Sequence, residues 1–198
     1  MENYARYENI SPEAYDKKDI MTYLVRLPSD KKIFPLISKI ENKKILDVGV
    51  GTGYYTKILM QKNFVAGVDQ NPHLCNLAIK LYKGDAADLT RLVQSEKFDI
   101  VFSTWMTEYL SPEQLEKFFA ESKRVLNNNG RLITTVISAY GWGFVYITLA
   151  RVLKGISKYG YRTKQVIEKL KEAGFTDIRI ITLNARLFLP WAYLVIAK

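Results

Sequence analysis

The chain has 198 residues and is 48% apolar, which suits one domain with a sizeable core and excludes a disordered chain. Its formal net charge is +9, which admits nucleic acid, an anionic membrane surface or an acidic ligand as partners. The positive residues are scattered (Lys31-Lys32, Lys43-Lys44, Arg151, Lys154, Lys158, Arg162, Lys164) and form no block of five or more, so the favoured reading is a solvated basic surface.

Two helical patterns open the chain. One covers roughly residues 11–26, with Ile20, Met21, Leu24 and Val25 at helical spacing. The next follows Ser29, read as an N-cap, and carries Ile33, Phe34, Ile37 and Ile40. Strands and helices then alternate. KILDVG reads as a strand, 54–61 as a helix and NFVAGVD as a strand, with a short helix after Asn71-Pro72. KLYKGD is a weak strand, LTRLVQ a turn or two of helix, and FDIVFS a strand. Ser111, Pro112 and Gln114 carry a capping-box signal for the next helix. That helix is expected to end near LNNNG, with Asn129 and Gly130 left-handed. RLITTVIS is a strand and 163–173 a helix stopped by Gly174. FTDIRIITL and PWAYLVIAK close the chain as two strands joined too tightly for a crossover helix.

The alternation predicts a doubly wound α/β, Rossmann-like, mostly parallel sheet with helices on both faces and one C-terminal antiparallel strand. One domain over residues 1–198 is expected. Its N-terminal helices (1–41) would act as a cover, and 139–160 as an insertion or lid. The N-terminal segment MENYARYENISPEAYDKK lacks the apolar stretch of a signal peptide, and no run is apolar enough to span a membrane. Cys75 is the single cysteine, which excludes an internal disulfide and speaks against a structural zinc site. A cytoplasmic protein without a metal is the expectation.

The functional signal lies in ILDVGVGTGYYT. Gly49, Gly51 and Gly53 sit where a strand becomes a helix, so backbone N–H groups can approach a ligand. The next strand ends in Asp69, a carboxylate placed to accept from both hydroxyls of a ribose. A dinucleotide fingerprint, G-x-G-x-x-G, would put its third glycine at position 54, which is Tyr54. The third glycine is instead Gly53, with Asp47 two positions ahead of Gly49. This pattern resembles the first motif of the class I S-adenosylmethionine-dependent methyltransferases, closest to a small-molecule branch that includes ubiquinone-pathway-like enzymes. EKFDIVFSTW, RVLNNNGRLI and VIEKLKEAGFTDIRI...YLVIAK resemble that family's fourth strand, its passage into the fifth strand, and its terminal helix and hairpin.

The resemblance implies S-adenosyl-L-methionine as cofactor and S-adenosyl-L-homocysteine as product. It implies that Asp69 holds the ribose and that Asp85 and Ala86, in GDAADL, read the adenine, with Asp88 a competitor for Asp85. Gln70, Ser103, Thr104 and Trp105 complete the expected cofactor wall. Tyr15, in EAYDKK, falls where that branch carries a cofactor-proximal Tyr-Asp segment and is a candidate substrate contact.

Ser103-Thr104-Trp105-Met106-Thr107-Glu108-Tyr109 occupies the position expected to face cofactor and acceptor. It lacks the [DN]-P-P-[FYW] of base-amine methylation and the cysteine of cytosine C5 methylation. Glu108 and Tyr109 are its titratable groups and the candidates for general base; His73 falls on the adenosine side. The stretch AYGWGFVYITLARVLKG is aromatic, then basic. Three readings stay open for it: a lid hinged at Gly141 and Gly143 with Tyr140, Trp142 and Phe144 against the acceptor, a membrane-surface helix, or core.

The expected activity is methyl transfer to a small apolar or anionic acceptor. An NAD-dependent oxidoreductase and a non-catalytic S-adenosylmethionine-binding subunit are the alternatives, with RNA as acceptor disfavoured.

Overall fold

In a computed structural model of the chain, residues 11, 12, 24, 26–184 and 189–198 are described. The first predicted helix and Tyr15 lie outside them. Among the elements lying wholly within the described residues, helix α1 (Leu27–Ile37) comes first. It starts before Ser29, because Pro28 occupies the first turn, where a missing N–H costs nothing. Ser29 is buried inside the helix rather than capping it.

The strands are β1 (Lys44–Val48), β2 (Phe64–Asp69), β3 (Lys80–Lys83), β4 (Phe98–Ser103), β5 (Leu126–Ile137), β6 (Ile178–Asn184) and β7 (Pro190–Ala197). The helices after α1 are α2 (Thr56–Leu59), α3 (Leu89–Val93), α4 (Pro112–Val125), α5 (Gly141–Lys154) and α6 (Thr163–Glu172). Among the described residues the seven strands form one sheet, ordered β3-β2-β1-β4-β5-β7-β6. The first five in that order run parallel, and β7 runs antiparallel to both its neighbours. The doubly wound sheet and its closing antiparallel strand are as expected.

Side chains alternate across the sheet, as period-two geometry requires. On one face Leu46, Val48 and Val101 pack with Leu89, Val93, Leu115, Phe118, Phe119, Val166 and Leu170 of α3, α4 and α6. On the other, Ile45, Ile100 and Phe102 pack with Ile33 and Ile37 of α1 and with Tyr55 and Leu59 around α2. Trp142, Tyr146 and Ile147 of α5 close over that second face.

Two local expectations are corrected. The helix expected over 54–61 is one turn, α2, because Asn63 Nδ2 donates to the Leu59 and Ile40 carbonyls at 2.8 Å and folds the chain back. Asn129 and Gly130 are not left-handed. Helix α4 passes directly into β5, and the register with β4 jumps from Phe98↔Leu126 to Ile100↔Arg131. The asparagine run is thus taken up as a bulge in an extended strand, held by Asn127 donating to Asp99 at 2.9 Å. The capping box at Ser111 and Gln114 is present as read.

Candidate cofactor and acceptor site

Strand order reverses between β1 and β4, so the loops leaving them diverge and open a crevice at their carboxyl ends. The turn Gly49–Gly53 and the segment 104–109 meet there. Gly49, Gly51 and Gly53 all have positive φ (79°, 53° and 79°). A Cβ on Gly49 would stand 2.8 Å from Met106 Cβ. Only glycine allows both this backbone and this approach.

Asp69, at the end of β2, faces that turn. Its Oδ2 accepts from the Gly51 N–H at 2.8 Å and its Oδ1 from the Asn71 N–H at 2.8 Å. The carboxylate is therefore fixed at the lip of the glycine turn. Next to it, Gln70 Nε2 donates to Asp85 Oδ2 at 2.9 Å, and Asp85 Oδ1 accepts from Ala87 N–H, capping the short 3-10 turn 86–88. Asp69, Gln70, Asp85 and the buried Ala86 thus form one continuous rim. Asp88 pairs with Arg91 instead, which separates it from Asp85. His73 is exposed, and Cys75 is buried.

Asp47 is buried beneath the turn, its Oδ2 accepting from Thr56 Oγ1 at 2.6 Å. Burial pushes its carboxyl up to about 7, and Asp69 adds to the rise while the Thr56 bond opposes it.

On the opposite wall, Ser103 is buried at the end of β4 and Thr104 is half-buried. Trp105 has φ of 56°, a strained value for a bulky residue. It is held there by Trp105 N–H donating to Thr135 Oγ1 and by Trp105 Nε1 donating to the Tyr55 hydroxyl, both 2.8 Å. Tyr55 in turn donates to Asp30 Oδ1 of α1 at 2.6 Å, and Tyr54 to Asp30 Oδ2 at 3.1 Å. Burial pushes the Asp30 carboxyl up, and the two tyrosine hydroxyls hold it down.

Asp30, Tyr55 and Thr135 are residues that sequence reasoning missed. They couple α1, the glycine turn and β5, positions 25 to 50 residues apart in the chain, and no local pattern marks such pairs.

Helix α5 packs beside this wall. The Trp105 ring lies 6.1 Å from Trp191, which lies 4.7 Å from Tyr146 edge-on. The indole N–H groups of Trp142 and Trp191 are buried with no hydrogen-bond partner among the described residues. Trp142 packs with this cluster, whereas Tyr140 and Phe144 are 51% and 59% exposed.

Gly141 and Gly143 anchor the helix rather than hinge it. A Cβ on Gly143 would lie 2.1 Å from the Ser138 carbonyl, and one on Gly141 2.7 Å from the Pro190 carbonyl. The insertion is also clamped at its neck, Ala139 N–H bonding the Tyr161 carbonyl and Tyr161 N–H the Ile137 carbonyl.

The two base candidates, Glu108 and Tyr109, both meet Lys158. Glu108 is 4% exposed, and its Oε1 lies 3.6 Å from Lys158 Nζ, itself 4% exposed. Lys158 donates to the Tyr146 hydroxyl and sits 4.3 Å above the Tyr109 ring. The Glu108 carboxylate is thus paired inside the insertion's contact with the post-β4 segment. Lys158 entered the sequence reading only as one of many scattered charges.

The methyltransferase domain family matches residues 46–134. Phosphoethanolamine N-methyltransferase 1 of Caenorhabditis elegans is 29% identical over 60% of this chain, and the chain spans about a quarter of that protein (24%). A tRNA U34 carboxymethyltransferase of Vibrio atlanticus is 23% identical over 77% of the chain, which spans about half of it (51%). Among solved structures, magnesium protoporphyrin IX methyltransferase of Synechocystis, with bound S-adenosylhomocysteine, superposes with a TM-score of 0.71. It shares 13% identity, and the match covers 100% of this chain and 93% of that one. A possible histamine N-methyltransferase of Thermotoga maritima reaches 0.71 at 15% identity, covering 99% and 98%.

An NAD-dependent oxidoreductase is set aside by the insertion of antiparallel β7 between β5 and β6 and by Tyr54 in place of the third glycine. The family match over residues 46–134 runs through the glycine turn, the Asp69 rim and the post-β4 segment, and the chain shares its fold with the methyltransferase structures above.

Proposed function

We propose that the protein binds S-adenosylmethionine across the glycine turn and transfers its methyl group to a small molecule with an apolar or aromatic body. The observation that carries this is Asp69, fixed by the Gly51 and Asn71 N–H groups at the lip of the turn, where its remaining lone pairs suit a ribose diol. Asp85, Gln70 and Ala86 then line the adenine side. Trp105, with Trp142, Tyr146 and Trp191, supplies a closed aromatic wall that keeps water from the sulfonium. The two unpartnered indole N–H groups suit an acceptor that carries an oxygen. A closed wall fits a small acceptor in the branch the sequence resembles, and a nucleic acid would need an open basic groove.

Transfer from a sulfonium is an in-line displacement that depends on alignment and desolvation. A neutral amine or an ionised oxygen needs no enzyme base, which agrees with Glu108 being engaged by Lys158. The product of each turnover is S-adenosylhomocysteine.

Calorimetry should show S-adenosylhomocysteine binding at one site and NAD binding far more weakly; preferential NAD binding overturns the cofactor reading. With S-adenosylmethionine present, release of S-adenosylhomocysteine should respond to small aromatic and amphiphilic acceptors and not to transfer RNA. Turnover on transfer RNA alone would reverse the acceptor reading. Trp142→Ala should lower turnover while leaving S-adenosylhomocysteine affinity nearly unchanged, because its contacts lie on the acceptor wall. An equal loss of both would place Trp142 outside that wall.

A further inference from the structure

Helix α5 has two apolar faces, and only one is covered. Trp142, Tyr146 and Ile147 face the core. On the outside, Phe144 and Val152 lie along one row, and Val145, Leu149 and Leu153 along the next, at spacings of four and eight that align them on one side of a helix. Val152 and Leu153 are each 73% exposed and Leu149 is 47% exposed. Leu189, also exposed, extends the patch at the helix start, where Gly141 abuts Pro190. An uncovered run of large apolar side chains of this kind marks an interaction surface.

The charge around it selects the partner. From Ser138 to Lys164, the stretch that carries α5, the sequence contains no acidic residue and holds Arg151, Lys154, Lys158, Arg162 and Lys164, of which Lys158 is buried. Arg151 is exposed on α5 itself, and the exposed Arg162 guanidinium lies over the Tyr140 ring at 5.6 Å, beside the start of the helix. A second copy docked through the same rows would set like charges of this stretch against each other, whereas anionic headgroups would pair with them. We infer that the outer face of α5 docks on an anionic lipid surface, its apolar rows in the acyl boundary and its basic flank among the headgroups. The same helix walls the acceptor site on its inner side, so docking would bring that wall to the bilayer.

The test uses the full chain and needs no methyl transfer, so it stands apart from the function proposed above. Co-sedimentation is measured with phosphatidylcholine vesicles with and without phosphatidylglycerol. The protein should bind the mixed vesicles, bind pure phosphatidylcholine little, and dissociate as salt is raised. The double substitution Val152→Glu, Leu153→Glu should cut vesicle binding at least about tenfold. S-adenosylhomocysteine affinity and melting temperature should be unchanged, since both side chains are on the surface. No binding to mixed vesicles, or equal binding by the double variant, overturns the inference. So does a concentration-dependent dimer that the same substitutions dissolve, which would assign the face to a second copy.

Discussion

Replacing Asp69 with alanine should lower S-adenosylhomocysteine affinity by more than about a hundredfold. Each charge-assisted bond to a ribose hydroxyl contributes about 1.5–3 kcal/mol, and alanine removes the acceptor for both. The structure adds a second consequence. Asp69 also accepts from the Gly51 and Asn71 N–H groups, so its loss releases the glycine turn. Two backbone donors are then left to find water, and the melting temperature should fall as well. Asp69→Asn separates the effects, because its side-chain carbonyl can keep one of the backbone bonds while losing the charge. Calorimetric titration of both variants, with thermal melts alongside, checks this. Wild-type affinity in Asp69→Ala would show that the ribose lies elsewhere.

The second large effect is a pH dependence set by Asp47. Burial raises its carboxyl from the ordinary 3.8 to about 7 in the folded protein. Between about pH 4 and 7 the native state therefore holds a proton that the unfolded chain has lost. A raised pKa stabilises at low pH and the benefit is lost as pH climbs, so stability falls across that window, by on the order of 4 kcal/mol for three units. Asp47→Asn should flatten this slope.

Ligand binding follows the opposite trend. We propose that Asp47 faces the cofactor, whose sulfonium and ammonium would favour the ionised carboxylate. Below about pH 7 binding must first expel the proton. Affinity should then rise by up to about tenfold per pH unit and level off above it. Calorimetry from about pH 5.5 to 7.5, in buffers of different ionisation enthalpy, should detect the released proton. A flat profile in the wild-type protein would remove Asp47 from the cofactor contacts.

Much of this molecule is legible in its sequence because the deciding interactions are local. Apolar runs separated by turn residues fix strands and helices within a few positions, and they foretell a parallel sheet ending in an antiparallel pair. The left-handed backbone at Gly49, Gly51 and Gly53 demands glycine whatever the rest of the chain does. The Ser111 capping box closes within four residues.

What tertiary structure alone decided involves partners distant in the chain. Asp30 is unremarkable until folding buries it against Tyr54 and Tyr55, and only then does Tyr55 hold Trp105 in its strained conformation. Glu108 reads as a free base candidate until the insertion brings Lys158 to 3.6 Å. Asn129 and Gly130 have the chemistry of a turn, yet they lie in a bulge between Leu126 and Arg131, and pairing of those two with β4 keeps the chain between them extended. Gly143 looks like a hinge in sequence and is an anchor in space, because the Ser138 carbonyl lies where its side chain would be. Local propensity acts through neighbouring bonds, while the chemical role of each of these side chains depends on a neighbour that only the assembled sheet supplies.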